Sequence, residues 1–219
     1  MARMSHPPAA SESHTGLSKH RLEALTDGIF AVAMTLLVIE LKLPQHETVR
    51  DPSDLAAGIG HLIPTFIAWI ISFFVLAIFW FSHHRLFHYV RVVDAPLLWL
   101  NILYLGFVSL MPFSSALAGE YSRMLFSQWF YSSNMLLLAL LGLVKYRYVF
   151  RHPELWATPV TAGFYRGARF RSMGLMVVAL VAVGIAMLVP GAGNMAFMLM
   201  FPISMLSRRV ERRAEKLAA

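Results

Sequence analysis

The sequence of 219 residues contains no cysteine and few charged residues. The absence of cysteine excludes disulfides, thiolate metal sites and cysteine nucleophiles. Asp, Glu, Lys and Arg make up 14% of the chain, whereas they make up about 25% of an average soluble domain. Hydrophobic residues make up 58% of the chain, and its mean hydropathy is +0.60. These values indicate an integral membrane protein.

Apolar runs recur along most of the chain, and many are long enough for a helix of about 20 residues to cross a bilayer core of about 30 Å. The pattern predicts an all-α protein with six transmembrane helices. The sixth is short and contains Pro202, although membrane helices tolerate proline. The predicted spans are 19–43, 54–81, 95–118, 122–147, 170–188 and 194–206.

Three segments follow from this division of the chain. Residues 1–18 are polar and rich in Pro and Ser, without the features of a secretory signal, and are predicted to form a flexible tail. Residues 19–206 form the membrane domain, and residues 207–219 form a basic tail.

The distribution of Lys and Arg predicts the orientation, because basic residues in short loops favour the cytoplasmic side. With both termini cytoplasmic, the cytoplasmic segments include Lys145, and the outer side keeps only Lys42, Arg50 and Arg123 of the 19 basic residues. The basic residues lie at helix ends rather than in a stripe with interleaved aromatic residues, so no nucleic-acid partner is predicted.

Few polar residues fall inside the predicted spans, where an ionisable group costs roughly 2.5 to 3.5 kcal/mol. By orientation and depth, Asp27, His84 and Asn101 are within reach of one another, and Trp80 shares a helix face with His84. A structural hydrogen-bond network is therefore expected, and a proton-sensitive switch is an alternative. His84 and His88, with His83 adjacent, resemble a metal site, but no carboxylate completes it, so neither a metal nor a cofactor is predicted.

The first predicted helix has two different faces. At 100° per residue, Val32, Leu36 and Ile39 lie within about 60° of one another, with Thr35 on the flank, while Asp27 lies about 140° from Val32. By periodicity alone, such an apolar stripe is typical of a lipid-facing or core surface.

The start of the first helix resembles the transmembrane protein 175 family of potassium channels, specifically its prokaryotic single-repeat members. Their motif is R-x-x-x-F-S-D, and this chain has Arg21 followed by LEA, Leu25, Thr26 and Asp27. The similarity continues through DGIFAVAMTLLVIELKLP, WFSHHRLFHYV and DAPLLWLNILYLGFVSLMPFSSAL, which cover the first three predicted spans.

This resemblance implies a homotetramer in the inner membrane, with four first helices around a central pathway for K⁺ and other monovalent cations. Rings of Val32, Leu36 and Ile39 would form a hydrophobic constriction with Thr35 nearby. The chain has no T-V-G-Y-G filter, so modest selectivity for K⁺ over Na⁺ is expected. The motif aspartate, with Thr26 beside it, would join a hydrogen-bond network with the residues matching Trp80, His84 and Asn101. Arg21 would lie at the cytoplasmic mouth or on this network.

Two other classes of function remain as alternatives. A proton-coupled transporter would use Asp27 and His84 as a proton relay, and a non-conducting membrane scaffold would use none of these groups. An enzyme is not predicted, because the sequence has neither G-x-S-x-G nor H-E-x-x-H.

Overall fold

A computed structural model describes residues 18–42 and 51–216 of the chain. The predicted tail before Ser18, residues 43–50 and residues 217–219 lie outside the described residues. Residues 43–50 are the last residue of the first predicted span and most of the loop after it. Helices account for most of the described part, which contains no β-strand. The α-helices are α1 (Lys19–Ile39), α2 (Pro52–His61), α3 (Ile63–His88), α4 (Ala95–Ser109), α5 (Met111–Glu120), α6 (Leu125–Arg151), α7 (Ala162–Leu188) and α8 (Met200–Lys216).

Five helical stretches in the described residues are long and apolar enough to cross a membrane: α1, α3, α4 together with α5, α6 and α7. They follow the order of the first five predicted spans, with different bounds. The second predicted span begins as a separate helix, α2, capped by the carboxylate of Asp51. The spanning helix α3 continues to His88 rather than ending at residue 81.

The fifth predicted span begins too late. Helix α7 starts at Ala162, where Thr161 caps it by accepting a hydrogen bond from the Phe164 N–H. Arg166 and Arg169 lower the hydropathy of its first turns, so an apolar window detects the helix only from residue 170. Charged residues are compatible with a helix end that extends beyond the hydrocarbon core.

The sixth predicted span is not a single continuous α-helix. A 3₁₀ stretch, Gly193–Leu199, leads into α8. Asn194 Nδ2 donates to the Ala118 carbonyl at 3.3 Å, and at the other end of the bundle Arg85 donates to Glu211 at 2.5 Å. Residues 193–211 therefore run along the bundle for about 32 Å at the usual rises per residue. Helix α8 extends well into the segment predicted as a basic tail.

Polar side chains join the helices inside the apolar core. Ser72 of α3 donates to Ser115 Oγ of α5 at 2.8 Å, and its Oγ lies 2.9 Å from the Tyr131 hydroxyl of α6. Interhelical hydrogen bonds of this kind stabilise helix packing where lipid tails offer no polar partner. Helix α1 enters this bundle through one face only, which consists of Leu22, Thr26, Phe30, Ala33 and Leu37.

The loop between α3 and α4 pairs with the segment between α6 and α7. Both lie at the end of the bundle that holds Arg85 and Arg91, the basic end. Arg91 N–H donates to the Leu155 carbonyl at 2.7 Å, and Ala157 N–H donates to the Tyr89 carbonyl at 2.7 Å. The Tyr148 hydroxyl of α6 donates to Asp94, the residue that caps α4. These contacts hold the ends of α3, α4 and α6 together.

Replacement of Gly119 by alanine tests the close packing of α5 on α3. A Cβ at this position would lie 2.7 Å from Thr65 Cα, a backbone atom that no rotamer change can move. Gly119→Ala is therefore expected to lower the free energy of unfolding by roughly 1–3 kcal/mol, measured by thermal unfolding in detergent. Gly142→Ala is the control, because nothing lies within 4 Å of its Cβ position. Equal melting temperatures for both variants would contradict the packing described.

Candidate functional site

The face of α1 that points away from the bundle carries the apolar stripe predicted from the sequence. Val32 is 55% exposed, Leu36 is 42% exposed and Ile39 is 63% exposed. The structure therefore brings the three side chains to one uncovered face of a single chain, as their spacing requires.

Thr35 is also exposed on α1, and its hydroxyl points back to the helix. Its Oγ1 lies 3.0 Å from the Ala31 carbonyl and 2.9 Å from the Val32 carbonyl, to which it donates. Since the hydroxyl hydrogen is used by the backbone, the oxygen lone pairs stay available to accept a hydrogen bond or to contact a cation.

The stripe extends along α1 beyond the predicted residues. Leu25 and Gly28 line the same shallow apolar groove as Val32 and Leu36. Apart from its chain neighbours and the nearby backbone of α1, no described atom lies within 4 Å of a Cβ built at Gly28. This part of α1 has room for a closely approaching neighbour.

Asp27 bonds to α3 at the surface of the chain. Its Oδ1 accepts a hydrogen bond from Trp80 Nε1 at 2.8 Å, and the Trp80 ring stacks on His84 with centroids 5.9 Å apart. The residues of this group are exposed, with Trp80 at 38%. His84 makes this ring contact but no hydrogen bond to Asp27 among the described residues. In the single chain, Asp27 therefore bonds to Trp80 and remains exposed.

Asn101 belongs to a different, buried group. It is fully buried in α4, and its Nδ2 donates to Thr26 Oγ1 of α1 at 3.0 Å. Its Oδ1 accepts a hydrogen bond from Lys145 Nζ of α6 at 3.0 Å. The residues predicted to form one network thus fall into two groups, and Thr26 rather than Asp27 is the contact between α1 and α4.

The charge count places Lys145 in a cytoplasmic segment, whereas the structure buries it inside the bundle. Its side chain is 2% exposed, and it lies about 9 Å along α6 from Arg151, the last residue of the helix. Lys145 Nζ lies 3.3 Å from His83 Nδ1 and 3.4 Å from the centre of the Tyr104 ring. Among the described residues, no carboxylate pairs with this amine.

The neighbours of Lys145 are groups that accept hydrogen bonds from an amine. They are an amide oxygen, an imidazole nitrogen and the face of an aromatic ring. The assignment of Lys145 as the donor to His83 Nδ1 places the ring hydrogen of a neutral His83 on Nε2. That nitrogen is buried without a hydrogen-bond partner in the described part of the chain.

The remaining predicted residues take no part in either group. Arg21 is exposed, and no side chain in the described ranges bonds to its guanidinium. Within residues 18–42 and 51–216, no three His, Cys, Asp or Glu side chains come close enough to hold a metal ion. His83 is buried, whereas His84 and His88 are exposed.

Several long apolar helices, joined by buried polar contacts, define a multi-spanning helical membrane protein. Residues 21–112 match the family model described as Endosomal/lysosomal potassium channel TMEM175. The resemblance seen in the first-helix motif is thus confirmed for residues 21–112.

Individual relatives agree with this family. A potassium channel of Streptomyces collinus is 40% identical over 103 residues, which are 47% of this chain and 48% of the relative. The mouse endosomal/lysosomal proton channel TMEM175 is 35% identical over 124 residues, which are 53% of this chain and 24% of the relative. The match thus spans about half the length of the bacterial relative.

One solved structure resembles the fold over most of the chain. It is described as a lysosomal potassium-selective channel TMEM175 homolog from Chamaesiphon minutus. The TM-score is 0.72 at 28% identity, and the match covers 86% of this chain and 97% of that chain. The likeness therefore extends beyond the first three spans on which the sequence resemblance rests.

A double-mutant cycle tests the buried group. Asn101→Leu leaves Lys145 Nζ without its amide acceptor and should lower the free energy of unfolding by about 2–4 kcal/mol. Adding Lys145→Met to this variant removes the unpaired amine, so the double variant should regain part of the lost free energy of unfolding. Denaturant or thermal unfolding in detergent measures the four proteins. Strictly additive effects would show that the two side chains do not interact.

Proposed function

We propose that this chain is the subunit of a passive, potassium-permeable cation channel whose pathway is lined by α1. The observation that carries the proposal is the division of α1 into two faces. Leu22, Phe30 and Leu37 are buried in the bundle, while Val32 and Ile39 are uncovered on another side of the same helix. The proposed activity comes from the similar proteins, which are named as channels.

A homotetramer with α1 at its centre is the assembly we infer. One apolar stripe cannot enclose a pathway, but copies of it around a symmetry axis can. Asp27 supports this arrangement, because it is exposed on a membrane helix and a carboxylate facing lipid costs roughly 2.5–3.5 kcal/mol. A neighbouring subunit or water in the pathway provides a better environment.

The constriction would act by its width and by dewetting. Rings of Val32, Leu36 and Ile39 carry no charge and no carbonyl oxygens, so an ion passes only when the rings dilate enough to admit a partly hydrated cation. The lone pairs of Thr35 would offer the nearest side-chain oxygen. Selectivity for K⁺ over Na⁺ should be modest, since no fixed set of carbonyls replaces the hydration shell.

The orientation belongs to the same proposal. The ends of α3 and α6, the starts of α4 and α7 and the end of α8 share the basic end of the bundle. By the positive-inside rule this end faces the cytoplasm, which places both termini inside and makes residues 193–211 a sixth crossing. The membrane would be the cytoplasmic membrane of a prokaryotic cell.

Asparagine substitutions in the stripe test the pore assignment. Val32→Asn and Leu36→Asn should wet the constriction, and we expect potassium flux into liposomes to rise about tenfold while K⁺ selectivity falls. Val38→Asn is the matched control, because Val38 is 50% exposed on the same helix but lies about 120° from Val32 around the axis. Unchanged flux in both stripe variants would overturn the assignment.

The flux assay also separates the competing functions. A channel carries K⁺ with or without a pH gradient, a proton-coupled transporter requires the gradient, and a scaffold carries none. The absence of a hydrogen bond between His84 and Asp27 does not favour the predicted relay. Proton permeation is a second candidate activity, because the mouse relative is named a proton channel, and a pH-sensitive dye inside the same liposomes measures it.

Asp27 is expected to support folding and assembly more than selectivity. Asp27→Ala removes the acceptor of the Trp80 indole and should lower the free energy of unfolding by roughly 1 kcal/mol, with weaker association of subunits. Asp27→Asn keeps an acceptor oxygen and should retain most of the association. Mass photometry and thermal unfolding measure both effects. A stable Asp27→Ala tetramer with the wild-type melting temperature would contradict this role.

A further inference from the structure

A groove on the outer surface of the bundle has an apolar half and a basic half. It lies between α3, α7 and α8 and has a volume of about 210 Å³. Phe74 and Phe201 form its apolar wall, with ring centroids 5.4 Å apart. Arg85, Arg171 and Arg208 line the other half. From Phe74 to Arg85 the groove follows α3 for about 16 Å.

The basic half carries an excess of positive charge. Glu211 pairs with Arg85 at 2.5 Å, while Arg171 donates to the Tyr146 hydroxyl at 3.0 Å. Arg208 lies over the Phe81 ring, with its Cζ 5.0 Å from the centroid. The basic half therefore contains three guanidinium groups and one carboxylate. Arg208 has no acidic partner in the described part of the chain.

The polarity of the groove matches that of a phospholipid. Phe74 lies at the middle of α3 and Arg85 lies near its end, where the membrane interface is expected. We propose that this groove binds one anionic phospholipid, with an acyl chain along Phe74 and Phe201 and the phosphate against Arg171 and Arg208. Basic sites between membrane helices bind anionic headgroups in this way.

A second copy of the chain fits this groove less well. The surface around its basic half carries further arginines, such as Arg209 and Arg212 beside Arg208. Contact between two such surfaces would bring like charges together, whereas an anionic headgroup would neutralise them. A zwitterionic lipid offers the same acyl chains without the net negative charge.

Native mass spectrometry of the purified full chain tests the site with three probes. These are dioleoylphosphatidylglycerol, dioleoylphosphatidylcholine with the same acyl chains, and glycerol 3-phosphate as a headgroup without chains. We expect the phosphatidylglycerol to bind more tightly than the phosphatidylcholine, and glycerol 3-phosphate not to bind. Equal affinity for the two lipids would overturn the proposal, and tight binding of glycerol 3-phosphate would replace the lipid with a free phosphate ester.

Three variants locate the binding. Arg208→Gln should weaken phosphatidylglycerol binding about fivefold and leave phosphatidylcholine binding unchanged. Arg151→Gln removes an exposed arginine at the same end of the bundle and should bind as wild type does. Ser204→Trp fills the groove from α8 and should reduce binding of both lipids. An unchanged preference in Arg208→Gln would overturn the proposal, as would a Ser204→Trp variant that alters the oligomeric state but not lipid binding.

Discussion

The burial of one amine, Lys145, constrains the arrangement of four helices. An amine in an apolar interior needs hydrogen-bond acceptors in fixed positions, because a buried polar group without a partner is strongly destabilising. His83 of α3 and Asn101 of α4 supply these acceptors at 3.3 and 3.0 Å. Asn101 then donates to Thr26 of α1, so the amine on α6 fixes the rotation of the first helix through one amide side chain.

The fixed rotation of α1 determines what its other sides can contact. With Thr26 buried against Asn101, Val32 and Ile39 must point away from the bundle, and Asp27 must lie at its edge beside Trp80. A membrane helix with a carboxylate at the edge and aliphatic residues on its free face is suited to meet other subunits around an axis rather than lipid. The polar core of the subunit and the apolar lining of the proposed pathway are thus consequences of one orientation.

The sequence predicts the helices better than it predicts their rotation. Hydropathy locates five spanning stretches in the right order, and wheel geometry correctly groups Val32, Leu36 and Ile39. The predicted network includes Thr26 but centres on Asp27 and His84, whereas the buried residues are Thr26 and His83. Adjacent residues differ by about 100° around a helix, so a polar pair does not reveal which member is buried. The apolar spacing of Leu22, Phe30 and Leu37 does reveal it, because Thr26 falls on the same face.

The basic end of the bundle shows a second limit of reasoning from composition. Loop charges predict orientation by their number, but they do not distinguish Lys145, buried in the core, from Arg208, which lies on the surface of α8. The difference arises from packing: Gly167 and Gly174 of α7 allow α8 to approach closely, and this approach brings Arg208 over Phe81 of α3. From hydropathy alone, this helix is predicted to be a weak span followed by a charged tail. In the structure, it forms one wall of a groove with both apolar and basic surfaces. The groove changes from apolar to basic along its length, and a bilayer changes from hydrocarbon to polar headgroups over a similar distance.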